Sequence, residues 1–145
     1  MAALAAAPPP GAIRPAMDAL ARENWSFVKR QAVALLAHGP ASSEIDDALG
    51  RTLGDASTSI RGAALLALAQ RRATSWRGAI RERLDDPAEN VHIRAAAASA
   101  LGALCDVDST DRLTELARAA AGGGGEASIA LGSVAGLAAL HPPDL

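Results

Sequence analysis

The apolar residues of this chain recur in a pattern that repeats four times. A β-branched residue is followed four positions later by a small residue and eight positions later by leucine. The four copies begin at Val28, Ile60, Ile93 and Ile129, which are 32, 33 and 36 residues apart. Spacings of four and eight place side chains on one face of a helix. The long period predicts an all-α fold, a right-handed α-solenoid of about four antiparallel helical hairpins.

Each period contains two predicted helices, of which the second is the more apolar. Breakers such as Gly39-Pro40 separate the helices. The predicted repeats span approximately residues 12–39, 42–72, 75–105 and 109–141, within one domain over 12–141. The Ala/Pro-rich residues 1–11 are predicted to be a disordered tail, residues 142–145 a second tail, and Gly122 to Gly125 a flexible turn.

The amino-acid composition limits which residue types can form the core and which classes of partner the chain can bind. Half of the 145 residues are hydrophobic but only 2% are aromatic, so the core must consist of Ala, Leu, Ile and Val. A formal net charge of −2 disfavours nucleic-acid binding, which requires an excess of positive charge. The single cysteine, Cys105, excludes an internal disulfide. Without a basic N-terminal region or a long apolar run, the chain is predicted to be cytoplasmic, with no membrane span.

Two stretches of the chain share a more specific motif. Residues 53–68 and 84–101 both contain Leu-x-Asp before a turn, then Ile-Arg at the start of a helix, then an Ala-rich run ending in Leu. They resemble HEAT repeats, most closely the short bacterial variety also called HEAT-like or phycobilisome-lyase-type repeats. The resemblance covers about residues 12 to 140. The fourth repeat departs from it, since Ala130 stands where the basic residue is expected.

The resemblance implies a role for the charged residues of the motif. Asp55 and Asp86, or Asp85 in place of Asp86, would lie in the turns and accept hydrogen bonds from exposed helix N–H groups. The basic residues would then reach the turn or carbonyl groups of a neighbouring repeat, forming a structural ladder. They are Lys29, Arg61 and Arg94. The alternative is a row of cations presented to an anionic partner.

A second apolar set occurs once per repeat on the second helices. Its members are Val33, Leu65, Ala98 and Val134. In HEAT-like stacks the second helices line the concave surface, so an exposed strip there would form a partner-binding groove. The alternative is that short, Ala-rich repeats bury both faces of these helices.

The last predicted helix, residues 127–140, contains no charged residue. Ser128 and Ser133 are its only polar side chains, whereas the ends of solenoids normally carry a polar outer face. Three explanations remain open: self-association, docking of a different protein, and excision from a longer array. We predict a dimer or a complex with another protein that buries this helix, with Leu131 and Val134 in the contact.

Arginines are concentrated around the start of the third hairpin. They are Arg71, Arg72, Arg77, Arg81 and Arg83. One interpretation is an ordinary mixed-charge surface, because Glu82, Asp85 and Asp86 lie among them. The other is a patch that binds an acidic protein or a nucleic-acid backbone, which makes a HEAT-like nucleic-acid-binding protein the alternative function.

The residues give little reason to expect an enzyme. His38, His92 and His141 have no second ligand at metal-binding spacing, and Cys105 has no histidine near it in the sequence. A lyase-like enzyme, the third hypothesis, would need a chromophore pocket, for which three aromatic residues supply few walls. We therefore predict a non-catalytic protein-interaction or scaffold module that uses no metal and no cofactor.

Overall fold

The computed structural model describes residues 6–119 and 125–140. Within these ranges the chain forms eight α-helices and no strand, which confirms the predicted all-α fold. Contacts divide the chain into two compact units, Met1–Arg71 and Arg72–Leu145. The single domain over residues 12–141 and the right-handed course stay predictions. The tail residues 1–5 and 142–145, His141 and most of the Gly122–Gly125 turn lie outside the described residues.

The first unit consists of two helical hairpins. Helices α1 (Pro10–Arg22) and α2 (Ser26–Ala37) form the first, while α3 (Ser43–Arg51) and α4 (Thr58–Gln70) form the second. A 3-10 turn, Thr52–Gly54, extends α3. Helix α2 packs against both α1 and α4, so the two second helices lie side by side.

The ends of these helices follow from local chemistry. The Ser42 hydroxyl accepts a hydrogen bond from the Ile45 N–H and caps α3. Helix α1 begins at Pro10, inside the predicted tail, because proline is well tolerated at the first position of a helix. The first repeat therefore starts slightly before the predicted residue 12, and Pro15 lies inside α1.

The second unit also contains two hairpins. Helices α5 (Arg77–Asp85) and α6 (Val91–Ala103) precede α7 (Thr110–Arg118) and α8 (Gly125–Leu140). Short 3-10 turns, Thr74–Trp76 and Val107–Ser109, lead into α5 and α7. Leucine and isoleucine side chains from all four helices form the core, including the fully buried Ile80, Leu84, Leu101 and Leu113.

Helix α8 packs unusually closely on α6. A Cβ atom placed on Gly132 would lie within 3.0 Å of the Ala95 carbonyl oxygen, and one on Gly136 equally close to the Ala98 carbonyl oxygen. A Cβ atom on Gly102 of α6 would collide with the backbone of Gly136. The glycines therefore allow two helix backbones to approach closely inside this unit. In both units, successive second helices pack on each other, which is the layering of an α-solenoid.

Candidate functional site

The motif residues of the first unit converge on the turn before α4. The Lys29 ammonium on α2 lies 2.5 Å from the Asp55 carboxylate, so it joins the first hairpin to the turn of the second. The other Asp55 oxygen accepts a 2.9 Å hydrogen bond from the Ser57 N–H. Arg61 donates to the carbonyl oxygens of Asp55, at 2.8 Å, and Ala56, at 3.2 Å.

The equivalent residues of the second unit also bond turns and helix ends. Arg94 donates from Nε to the Leu84 carbonyl oxygen at 2.8 Å, inside its own hairpin. The Asp86 carboxylate accepts the Ala88 N–H at 2.9 Å, while Asp85 pairs with Arg112 of the following hairpin at 2.7 Å. These cations therefore have internal partners, which leaves little support for a row of cations offered to an anionic partner.

Arg71, predicted to contact a partner, lies inside the first unit. Its side chain is 4% exposed, and its Nε lies 2.6 Å from the Asp46 carboxylate on α3. Its two terminal nitrogens donate to three carbonyl oxygens of the α2–α3 connection at 2.9–3.0 Å. Those oxygens belong to Leu36, Gly39 and Pro40. The partner-binding prediction for Arg71 is therefore wrong, because its hydrogen bonds are used to close that connection.

Arg77 and Arg81, also predicted to contact a partner, surround the buried Asp106. Arg81 donates to both Asp106 oxygens, with Nε at 2.8 Å. Arg77 donates to the Leu104 carbonyl oxygen at the end of α6. The Ser109 hydroxyl completes the shell by donating to Asp106. Both arginines thus hold the α6–α7 connection, and contact of their partly exposed side chains with a partner stays a prediction.

These contacts stabilise the ionised form of the Asp106 carboxyl. Hydrogen bonds from Arg81 lower its pKa below the usual range; burial acts in the opposite direction, and the Ser109 bond lowers the pKa further. Asp55 behaves similarly: burial raises its pKa, but the bonds from Lys29 and Ser57 outweigh that effect and lower it. Both carboxylates are therefore suited to structural ion pairing, and neither has the raised pKa of a general acid.

The sequence contains a signal for these two ion pairs, namely their spacing. Asp46 and Arg71 are 25 residues apart, and so are Arg81 and Asp106. In each pair one residue lies on the first helix of a hairpin and the other just beyond its second helix, with the charges exchanged. A search for opposite charges at this separation would have identified both pairs.

Little of the arginine cluster remains available to an anion. Arg83 lies 3.5 Å from Glu89, which is almost fully buried. Arg72 is exposed at the end of α4 and has no ion-pair partner among the described residues. One exposed arginine does not make a phosphate-binding patch, which normally requires several neighbouring cations.

The predicted concave apolar strip is not exposed. Val33, Leu65 and Ala98 are at most 2% exposed. These three residues therefore belong to the core and not to a partner-binding groove, which corrects the prediction. Neighbouring alanines favour this burial, because small side chains allow helices to approach one another closely. The fourth member, Val134, behaves differently and is 52% exposed.

The outer side of α8 presents an apolar surface, which we call the α8 face. Leu131 is 72% exposed and Val134 52% exposed. Ala135, Ala138 and Ala139 are exposed beside them, at the spacings of three and four that form one stripe on a helix. No charged residue interrupts the helix between 127 and 140. The opposite side of α8, including Ile129 and Ser133, is buried.

A second exposed apolar surface lies at the start of α2, and we call it the α2 face. Trp25 is 73% exposed, Phe27 64% and Val28 37%, although Val28 belongs to the repeated apolar pattern. The sequence signal for the α2 face is the position of Phe27 within the repeat. Residues equivalent to Phe27 in the later repeats are Ser59, His92 and Ser128, which are polar. The first repeat therefore has an aromatic residue where the later repeats have a polar one.

A groove of about 650 Å³ lies between α1 and α3 in the first unit. Met17 and Leu20 form part of its wall, with Arg14, Glu44 and Asp47 around it. None of its lining residues is a histidine or a cysteine. Among the described residues, no group of three or more His, Cys, Asp or Glu side chains is arranged to hold a metal ion.

The layered hairpins define a helical-repeat protein whose charged residues hold its turns and whose large exposed apolar residues lie mostly on α2 and α8. A family model described as HEAT repeats matches residues 45–132, more than half of the chain. The chain belongs to the HEAT-repeat family. No curated protein and no solved structure matches it. None of the described helices has the length and hydropathy needed to span a membrane.

Proposed function

We propose that this chain is a non-catalytic protein-interaction or scaffold module that docks a partner protein on the α8 face. The observation that carries the proposal is the exposure of Leu131 and Val134 on a helix without charge. Exposed apolar surface on a folded protein is characteristic of interaction sites. HEAT repeats generally mediate protein–protein interaction or scaffolding, which agrees with this use.

The alternative functions have less support. Nucleic-acid binding would need the arginines that bond Asp46, Asp106 and Glu89. A lyase of the phycobilisome type would need aromatic walls around a pigment, but Trp25 and Phe27 are on the surface. Both remain hypotheses that a binding assay with duplex DNA at low salt, or with a free bilin, would test directly.

Affinity capture with single substitutions tests the proposed function. Val134→Asp places a charge in the α8 face, and Leu66→Asp places the same charge on α4 at a position that is equally exposed, at 71%. Burying an unpaired carboxylate in an apolar contact is costly. We expect Val134→Asp to reduce recovery of the captured protein at least tenfold, while Leu66→Asp retains it.

The experiment needs a control for folding, and one outcome would refute the proposed function. Circular dichroism spectra of both variants should match the unsubstituted chain, since both positions are on exposed helix surfaces. Equal recovery of the same proteins by all three chains would refute docking on the α8 face.

A further inference from the structure

Two positions of the second helices are exposed in a terminal repeat and buried in the other three. The position that opens each repeat is occupied by Val28, Ile60, Ile93 and Ile129. The three isoleucines are at most 4% exposed, whereas Val28 is 37% exposed. The first repeat thus leaves uncovered a position that is buried in every later repeat.

A second position shows the reverse order. Val33, Leu65 and Ala98 are at most 2% exposed, whereas their fourth equivalent, Val134, is 52% exposed. Here the last repeat leaves uncovered a position that is buried in every earlier one. The position of Val28 is therefore exposed only in the first repeat, and the position of Val134 only in the last.

The packing of α6 on α8 shows how these two sides meet. Ala95, Ala98 and Gly102 of α6 face Gly132 and Gly136 of α8, as the close backbone contacts require. We call the side of a second helix that carries the α6 contact positions its later side, and the side that carries the α8 contact positions its earlier side. The contact thus joins the later side of one second helix to the earlier side of the next. Like sides do not meet.

The same register can be transferred to the exposed faces. Residues 36 positions after the α6 contact residues are Leu131, Val134 and Ala138, all of them on the α8 face. The residues of α2 that correspond to Gly132 and Gly136 are Gln31 and Leu35, on the same helix as Val28. The α8 face is therefore the later side of a second helix, and the α2 face is the earlier side.

We propose that the partner of the α8 face is a second copy of this chain, which covers it with its α2 face. This inference rests on the proposed function and names the partner. The contact between copies repeats the arrangement of the internal α6–α8 contact, because α2 of the second copy packs on α8 as α8 itself packs on α6. Leu131 and Val134 are larger than the residues of the internal contact, so the helices lie farther apart, and Trp25 and Phe27 fill the added space.

Such a contact is heterologous, since it joins two different surfaces. In a dimer one copy keeps an unused α2 face and the other an unused α8 face, so assembly proceeds beyond a dimer unless it closes into a ring. Neither face contains an ion pair, and the association is therefore expected to persist at high salt.

Mixing two blocked variants tests the arrangement. Val134→Asp removes the α8 face, and the double substitution Trp25→Asn with Phe27→Asp removes the α2 face. Asn90 occupies the position equivalent to Trp25, and polar residues occupy those equivalent to Phe27, so the double variant is compatible with the fold. Sedimentation velocity and light scattering measure the mass, and circular dichroism checks the fold.

We expect the unsubstituted chain and the Leu66→Asp control to increase in mass with concentration. Each blocked variant alone should remain a monomer at concentrations at least tenfold above the onset of association. An equimolar mixture of the two should form a 1:1 dimer that grows no further, because each variant retains the face that the other lacks.

Two results would overturn the inference. The α2 double variant alone could associate like the unsubstituted chain, which would mean that two α8 faces pair with each other. The unsubstituted chain could also remain monomeric at every concentration. If it does, and Val134→Asp still abolishes capture of another protein, the proposed function stands and only the second copy is excluded.

Discussion

Two neighbouring arginines at the end of α4 have opposite surroundings. Arg71 is buried and bonds Asp46 and the α2–α3 connection, whereas Arg72 is exposed with a positive φ of 56°. Sequence proximity placed both in one cationic cluster. Their different roles follow from the direction of each side chain where the helix ends, and the density of charge along the chain does not report that direction.

Replacing Arg71 tests its structural role. Arg71→Ala leaves the Asp46 carboxylate and three carbonyl oxygens without their donor, so we expect the free energy of unfolding to fall by about 2 to 4 kcal/mol. Arg72→Ala is the matched control and should change it by less than about 0.5 kcal/mol. Urea unfolding followed by circular dichroism measures both values. Equal effects of the two substitutions would contradict the assignment.

Acid should weaken the Asp106 contacts. Because Arg81 lowers the pKa of Asp106 in the folded chain, its contribution is complete above the unfolded pKa of about 3.9 and is lost as pH falls through the folded value. We expect Asp106→Asn to lower the free energy of unfolding by about 1 to 3 kcal/mol at pH 7. The loss is no larger because Arg81 is partly exposed to water, which weakens its interaction with Asp106. Urea midpoints at several pH values should converge below pH 4. A constant difference down to the lowest pH would contradict this account.

Helix α8 packs closely on α6 because its glycines have no side chain at the contact. Gly132 and Gly136 bring its backbone against Ala95 and Ala98 of α6. The small-residue spacing in the sequence therefore serves a contact inside the second unit. The other side of the same helix keeps its larger residues, Leu131 and Val134, exposed.

A methyl group on the packed side should be costly. Gly132→Ala gains helix propensity but forces a Cβ atom against the Ala95 carbonyl, so we expect a net loss of about 1 to 2 kcal/mol. Gly78→Ala on α5 has nothing within 4 Å of the added atom and should be neutral or slightly stabilising. Thermal unfolding of the two variants decides the matter. A Gly132→Ala variant at least as stable as the unsubstituted chain would show that α8 packs differently.

The repeating pattern predicted the type and order of the helices because periodic apolar residues and strong breakers are local signals. Positions such as Ile60 and Leu68 recur at helical spacing and are fully buried. The side on which Val33 and Leu65 lie was not predictable in the same way. Burial of a second helix face depends on how closely neighbouring layers approach, and the sequence of a single helix does not contain that distance.

At the scale of the whole molecule, the uncovered positions occur at the first and last repeats. Val28 on α2 and Val134 on α8 are exposed where their equivalents in the other repeats are buried. A repeat protein normally ends in a polar surface because nothing stacks beyond it. This chain instead keeps apolar residues at both positions, and the recognition surfaces that we propose are those that repeated packing leaves open.

Covalent footprinting of exposed side chains tests this claim most directly. Leu131 and Leu66 are nearly equally exposed, at 72% and 71%, so they label alike in the dilute monomer. In the associated state, whether with a second copy or with a captured protein, we predict that labelling of Leu131 and Val134 falls severalfold while Leu66 is unchanged. Unchanged labelling of the α8 face, or equal protection of Leu66, would contradict the account.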